Sequence, residues 1–192
     1  MHHFKIDYSS DNSNKMDHPK NIFFVDLQGF MDNSVFVVKE MCILSMNDNK
    51  LRHCIFKPPY DWYLLSKKSR EQALWLKCFH HGFNWSEGFI DYFDISSYLQ
   101  PLLDTVGRKD TVIYVKGREK VEWLKALCHY QNINCVNIED IGCTICLNDV
   151  EYKSRMNELY HCNRHKKLLQ CAYQNVLILE DWFKRHHNNH HE

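Results

Sequence analysis

Two apolar runs near the start of the chain, Ile22–Leu27 (IFFVDL) and Val35–Leu44 (VFVVKEMCIL), most restrict what this sequence can become. The first is short and continuous, as a buried strand is. The second begins with β-branched residues, which favour extended chain. Between them QGFMDN supplies a turn, with Gly29 and Asn33 as its turn-formers. Arg52–Lys57 reads as a third strand, stopped by Pro58-Pro59, which cannot extend a hydrogen-bonded ladder. Strands joined by short turns predict an antiparallel meander.

The pattern then changes period. Arg70–Phe79 has helical spacing and ends at His81-Gly82. Tyr92–Val106 predicts a second helix, broken near Pro101. Thr111–Val115 is a strand, Gly117–Tyr130 a helix, Asn134–Ile138 a short strand and Glu139–Leu147 a short helix. A last helix is predicted over 165–183, with Leu168, Ala172, Val176, Leu179 and Phe183 on one stripe. A meander followed by βαβα predicts an α/β mixed sheet with helices on both faces.

Residues 1–20 are polar and predict a flexible leader, residues 21–185 one folded domain, and residues 186–192 a disordered His-rich tail. His186, His187, His190 and His191 fit a polar tail better than a metal-binding tract. The leader lacks the apolar segment of a signal peptide. No apolar run approaches the roughly 18–20 residues that span a bilayer, so no membrane association is expected. The cysteine count of 9 is odd, so not all can pair within the chain. A reducing cytoplasm or nucleus is therefore expected, where clustered Cys and His point to metal before disulfide. With 24 basic and 24 acidic residues the chain has no net charge, so any nucleic-acid binding must come from a local patch.

The order of elements, with VDLQGF ending the first strand, VVKEMCI in the second, HGFNW before a helix, VIYVKGREKVEWL and HKKLLQCA, resembles the ribonuclease H-like fold in its DnaQ-type (DEDD) 3′–5′ exonuclease branch. The resemblance spans most of residues 21–183. It implies a nuclease site in which two magnesium ions held by four carboxylates bridge the scissile phosphate and a His activates water. Asp26 matches the first carboxylate. Gln28 stands at the second, Lys120 at the third and Gln170 at the fourth, while His165 matches the base. A neutral amide or a cation cannot supply the charge that magnesium needs. The resemblance thus implies a degenerate catalytic site. Glu119, Glu122, Asp140 and Asp149 are spare acids for a shifted alignment, in which an active nuclease with unorthodox ligands, and magnesium, would return.

Cys162, His165 and Cys171 supply three zinc-type ligands within one segment, and His161 is a spare imidazole. A fourth ligand must come from elsewhere: Glu40, or Cys143 or Cys146. The Glu40, Cys162, His165, Cys171 order is similar to the zinc set of the Maelstrom domain, another DnaQ-like fold without the family's catalytic acids. With the hairpin centred near Asp32-Asn33, Glu40 sits opposite Asp26. Such a zinc would be structural, with no open position. The competing reading is packing, since Cys is often a small buried hydrophobe.

Three basic runs stand out: Lys67, Lys68 and Arg70; Lys116, Arg118 and Lys120; and Arg164, Lys166 and Lys167. The last two groups fall towards C-terminal strand ends and could contact phosphates of RNA or single-stranded DNA. Solvated charge, balanced by Glu119, Glu122 and Glu151, is the alternative. The aromatics of Pro58–Tyr63 could stack on bases or cover an edge of the core. These features leave three functional expectations: a nucleic-acid-binding module using the former active-site cleft, a protein-interaction scaffold using the same cleft or the aromatic patch, or the active nuclease with unorthodox ligands.

Overall fold

The computed structural model describes residues 21–105, 107–128, 133–147, 154, 162 and 170–187. Its strands are β1 (Asn21–Asp32), β2 (Val35–Ser45), β3 (Leu51–Ile55), β4 (Thr111–Val115) and β5 (Cys135–Asn137). Its helices are α1 (Lys67–Phe79), α2 (Ile95–Leu103), α3 (Arg118–Leu127) and α4 (Ala172–His187). The strands form one sheet in the order β3-β2-β1-β4-β5. β1, β2 and β3 make the antiparallel meander, and β4 and β5 join it in parallel. This is the expected mixed sheet.

Alternation along β1 and β2 sorts the core. Phe23, Val25, Leu27, Met41 and Ile43 face the layer of α2 and α3. Phe24, Cys42 and Leu44 face α4, which presents Ala172, Val176, Leu179 and Phe183. Burying both faces explains why the runs read as continuously apolar. Phe30 and Val37, further along the hairpin, pack against Ala73 and Leu76 of α1.

Several boundaries differ from the sequence expectation. QGFMDN is not a turn: β1 runs to Asp32, and the turn is Asn33-Ser34 alone, both at positive φ (45° and 70°). A two-residue turn with left-handed residues matches the twist of a hairpin. A bulge between Gln28 and Gly29 then shifts the register, so Glu40 lies opposite Gln28 and Cys42 opposite Asp26. Gly29 is required there, because a Cβ would meet the Val37 carbonyl oxygen at 2.3 Å. Pro101 does not break α2 but sits within it, two residues before its end. Residues 139–147 are not a helix; only a short 3-10 turn, Ile138–Ile141, forms before Gly142 at φ 95° ends it. The last helix begins at Ala172, later than expected, and continues to His187. His186 stacks on Trp182, so His186 and His187 belong to that helix rather than to a tail. Leu168 lies outside the described residues, as does the leader.

Lys39 is the one buried cation of the hairpin, 1% exposed. Its ammonium donates to the Trp85 carbonyl at 2.7 Å and to the Glu87 carbonyl, pinning the loop after α1 to β2. Desolvation lowers its pKa from 10.5 to about 8, partly opposed by the Glu87 carboxylate. The unfolded chain therefore binds more protons than the folded one between pH 8 and 10.5, and stability rises with pH across that window. The gain should reach up to about 3 kcal/mol. Denaturant midpoints at pH 7.5 and 10 check it: the wild type should gain relative to Lys39→Met, and parallel profiles would contradict the assignment.

Candidate active-site cleft

β1 carries Asp26 and Gln28 to the centre of the sheet on the α4 face, and both are buried. Asp26 is the only carboxylate of the expected set that the sequence keeps, and the structure shows what surrounds it. The Lys120 ammonium reaches over from α3 and donates to Asp26 Oδ1 at 2.5 Å. Gln28 Nε2 donates to Oδ2 at 2.9 Å, and Asn175 Nδ2, from α4, to the same oxygen at 2.8 Å. Asn175 also donates to Gln170 Oε1 at 3.3 Å. Gln28 Oε1 in turn faces His80 Nε2 at 3.1 Å.

Local sequence explains the convergence. Gly117, at φ 106°, turns the chain from β4 into α3 and takes Asn137 Oδ1 on its N–H, which sets Lys120 one turn into the helix beside Asp26. The group that α4 brings to Asp26 is Asn175, where sequence reasoning placed Gln170. Gln170 and Asn175 are five residues apart, and both are joined to the Asp26 network through the Asn175 amide. His165 lies outside the described residues.

This arrangement does not suit divalent magnesium. Both Asp26 oxygens already accept hydrogen bonds, one from a full positive charge. The neighbouring groups are amides, which bring no negative charge. Among the described residues Glu119, Glu122, Glu139 and Asp140 line the same cleft, but Glu139 is paired with Lys116 and Asp140 with Arg118 at 3.4 Å. Lys116 holds the Glu139 carboxyl below the usual range. Each of the cations Lys116, Arg118 and Lys120 is therefore matched by an acid. Arg164, Lys166 and Lys167 lie outside the described residues, as do Asp149 and Glu151.

The cleft itself has a volume of about 1400 Å³, bounded by the β1–β2 hairpin, α1, α3 and residues 137–147. That exceeds the roughly 300–1,000 Å³ of a small-molecule pocket, so an extended ligand fits it better than a metabolite.

A second cluster lies behind Asp26, on β2. Glu40 is fully buried. Its Oε1 accepts from His53 Nε2 at 2.6 Å and its Oε2 from the Ala172 backbone N–H at 2.9 Å. Cys171 Sγ lies 3.8 Å from Glu40 Oε1 and 3.2 Å from Cys162 Sγ. Burial, Cys162 and the Glu40 charge all push the Cys171 thiol up. Cys171 thus touches two other sequence-predicted ligands, Glu40 and Cys162, but among the described residues no three His, Cys, Asp or Glu side chains are grouped as a metal ion would need. His161 and His165 are outside the described residues. Cys143 is buried in the apolar layer under α4, while Cys146 is exposed at the cleft wall, so the Cys143–Cys146 pair points two ways.

Sequence reasoning missed His53, His80 and Asn175. None of the three left a local signal, because each joins its cluster through a contact between separate elements. The aromatics of Pro58–Tyr63 divide: Tyr60 and Trp62 cover the core beside Trp85, and Tyr60 donates to Asp32 at 2.7 Å, whereas Tyr63 is exposed.

No family pattern matches this sequence, and no curated protein matches it. Solved structures do. The exonuclease domain of Mopeia virus, in a structure described as fully depleted of manganese, superimposes with a TM-score of 0.52 at 13% identity. The match covers 84% of this chain and 75% of that domain. The chain shares the fold of that domain, an α/β mixed five-stranded sheet with helices, consistent with the ribonuclease H-like type. Among its described residues no helix is long and apolar enough to cross a membrane.

Proposed function

We propose that this chain is a catalytically degenerate exonuclease-fold protein that binds RNA or single-stranded DNA along the Asp26 cleft and is braced by a structural zinc. The observation that carries the reading is the Lys120 ammonium seated on Asp26 at 2.5 Å, with amides from Gln28 and Asn175 on the other oxygen. A cation fixed on Asp26 opposes the gathering of metal ions that two-metal hydrolysis needs. Removing the cutting chemistry while keeping a cleft of this size leaves binding as the chemistry that remains.

The zinc rests on the donor set. Cys171 touches both Cys162 and the buried Glu40, ligand types that zinc accepts; the ion would have to draw the three together, with His165 as the fourth ligand of a tetrahedral site. His53, by donating to Glu40, would orient that carboxylate, as partners of metal ligands commonly do. Zinc, when bound, would supply the positive charge that favours thiolate at Cys162 and Cys171. Its role would be to tie the start of α4 to β2.

A second reading, a protein-interaction scaffold, is favoured by the pairing of all three described cleft cations with acids. Salt separates the two. Binding of an end-labelled oligonucleotide to the full chain should weaken steeply with added salt, because phosphate contacts release counterions. The same oligonucleotide with Mg²⁺ or Mn²⁺ should stay intact. Salt-independent or absent binding would favour the scaffold. Degradation lost in Asp26→Ala would establish a nuclease with unorthodox ligands.

A further inference from the structure

Cys171 Sγ and Cys162 Sγ lie 3.2 Å apart. That distance divides two chemistries. Two thiolates on one zinc, each about 2.3 Å from the ion in a tetrahedral site, stand about 3.8 Å from each other. Two anionic sulfurs with no ion between them also repel. The contact is therefore that of two thiols, one S–H facing the other sulfur. The sulfurs need close by only about 1.2 Å to reach the roughly 2.05 Å of a disulfide bond.

Their surroundings differ in the way an oxidation needs. Cys162 is half-buried, so a small oxidant reaches it. Cys171 is 1% exposed and reacts only with what already lies beside it. Glu40 Oε1, 3.8 Å from Cys171 Sγ, can take the Cys171 proton, and His53 holds that carboxylate in place. The pair also adjoins the cleft. Gln170, next to Cys171, and Asn175, in the first turn of α4, both line it, and Asn175 donates to Asp26. Between the two cysteines in sequence stand Arg164, Lys166 and Lys167. A bond between the sulfurs would close this basic segment into a short loop anchored at the start of α4.

We infer that Cys162 and Cys171 are an oxidation site, a dithiol that a hydroperoxide converts to a disulfide, tying the basic segment to α4. The inference goes beyond the nucleic-acid reading and needs no zinc. First the Cys162 sulfur attacks the peroxide and breaks its O–O bond. The sulfur becomes a sulfenic acid, and the other oxygen leaves with the thiol proton, as water when the oxidant is hydrogen peroxide. The Cys171 sulfur then attacks the Cys162 sulfur. An S–S bond forms, the S–O bond breaks, and the Cys171 proton passes by way of Glu40 to the departing hydroxide, which leaves as water. The two thiols lose two electrons and two protons, and the peroxide gains them. A thiol reductant reverses the bond by exchange.

The test is hydrogen peroxide added to the full chain after chelation, followed by tryptic mass mapping without reductant. Trypsin cuts between the two cysteines at Arg164, Lys166 and Lys167, so the bond would hold two peptides together. Wild type should lose two hydrogens, yield one linked pair containing Cys162 and Cys171, and return to separate peptides with dithiothreitol. In Cys171→Ser, oxidation should stop at a Cys162 sulfenic acid, which dimedone traps. In Cys162→Ser, Cys171 should stay unmodified at the same dose. Cys78 and Cys146 are both exposed, so they report that the oxidant was present, and they should form no link within the chain. The wild-type map decides the matter even where Cys171→Ser fails to fold. Cys162 and Cys171 still free once Cys78 is oxidised, a link joining other cysteines, or a Cys162 sulfenic acid that accumulates unpaired would each overturn the inference. Repeating the reaction with zinc added keeps the two proposals apart. Zinc that slows the link supports both, whereas a link formed equally fast leaves the dithiol standing and counts against the brace.

Discussion

Lys120→Ala is expected to destabilise the fold by about 2–3 kcal/mol, read as a shift in denaturant midpoint at unchanged slope. Asp26 has no exposed side-chain surface, and Lys120 keeps 18%. Removing a partner from a fully buried pair costs about 3–5 kcal/mol, because the remaining charge is left without compensation. The lower figure follows from two features: Lys120 is partly solvated, and Gln28 and Asn175 still donate to Asp26. The decisive control is Lys120→Met with Asp26→Asn. Neutralising both ends should restore most of the loss, since no buried charge then lacks a partner. A single variant as stable as wild type, or a double variant no better than the single, would mean the ammonium is not the counterion of Asp26. Such a result would reopen the cleft to metal.

The zinc proposal carries the other large effect. Purified wild type should contain one zinc per chain, and Cys162→Ser and Cys171→Ser should contain little. A ligand that binds only the folded state stabilises it by about 4 kcal/mol when its free concentration is a thousand times Kd. Chelation should therefore lower the melting temperature of the wild type by many degrees and that of Cys162→Ser hardly at all. Cys162 is the better test site because it is half-buried, whereas Cys171 is packed at the start of α4 and its replacement perturbs the core as well. Zinc absent from all three proteins would leave Glu40, Cys162 and Cys171 as a buried polar cluster and remove the brace.

The fold was legible because its signals are local and redundant. Apolar runs ended by turn residues gave β1, β2 and β3, and the switch to helical spacing at α1 gave the change of layer. What was not legible depended on one residue shifts. The turn at Asn33-Ser34 and the Gln28/Gly29 bulge each shift the register by one residue, and together they move Glu40 from opposite Asp26 to opposite Gln28; no strand pattern announces a bulge beyond the glycine itself. The helix expected over Glu139–Leu147 gave way to a 3-10 turn because Asn137 caps Glu139 and Gly142 then closes the turn in the left-handed region. In the cleft, Asp26, Gln28 and Lys120 were found by order along the chain. From the last helix, Asn175 and not Gln170 bonds Asp26, and Gln170 bonds Asn175 in turn, a contact that spacing along the chain does not reveal. His53 and His80 join through contacts across strands and loops, which sequence spacing does not encode.

Manganese binding followed by electron paramagnetic resonance, wild type beside Asp26→Asn, tests most directly whether Lys120 has replaced the metals. Both proteins should show the same weak, non-specific uptake, and Gln28→Glu/Lys120→Asp/Asn175→Asp should acquire a site that wild type lacks. A manganese site present in the wild type and lost in Asp26→Asn would contradict the account.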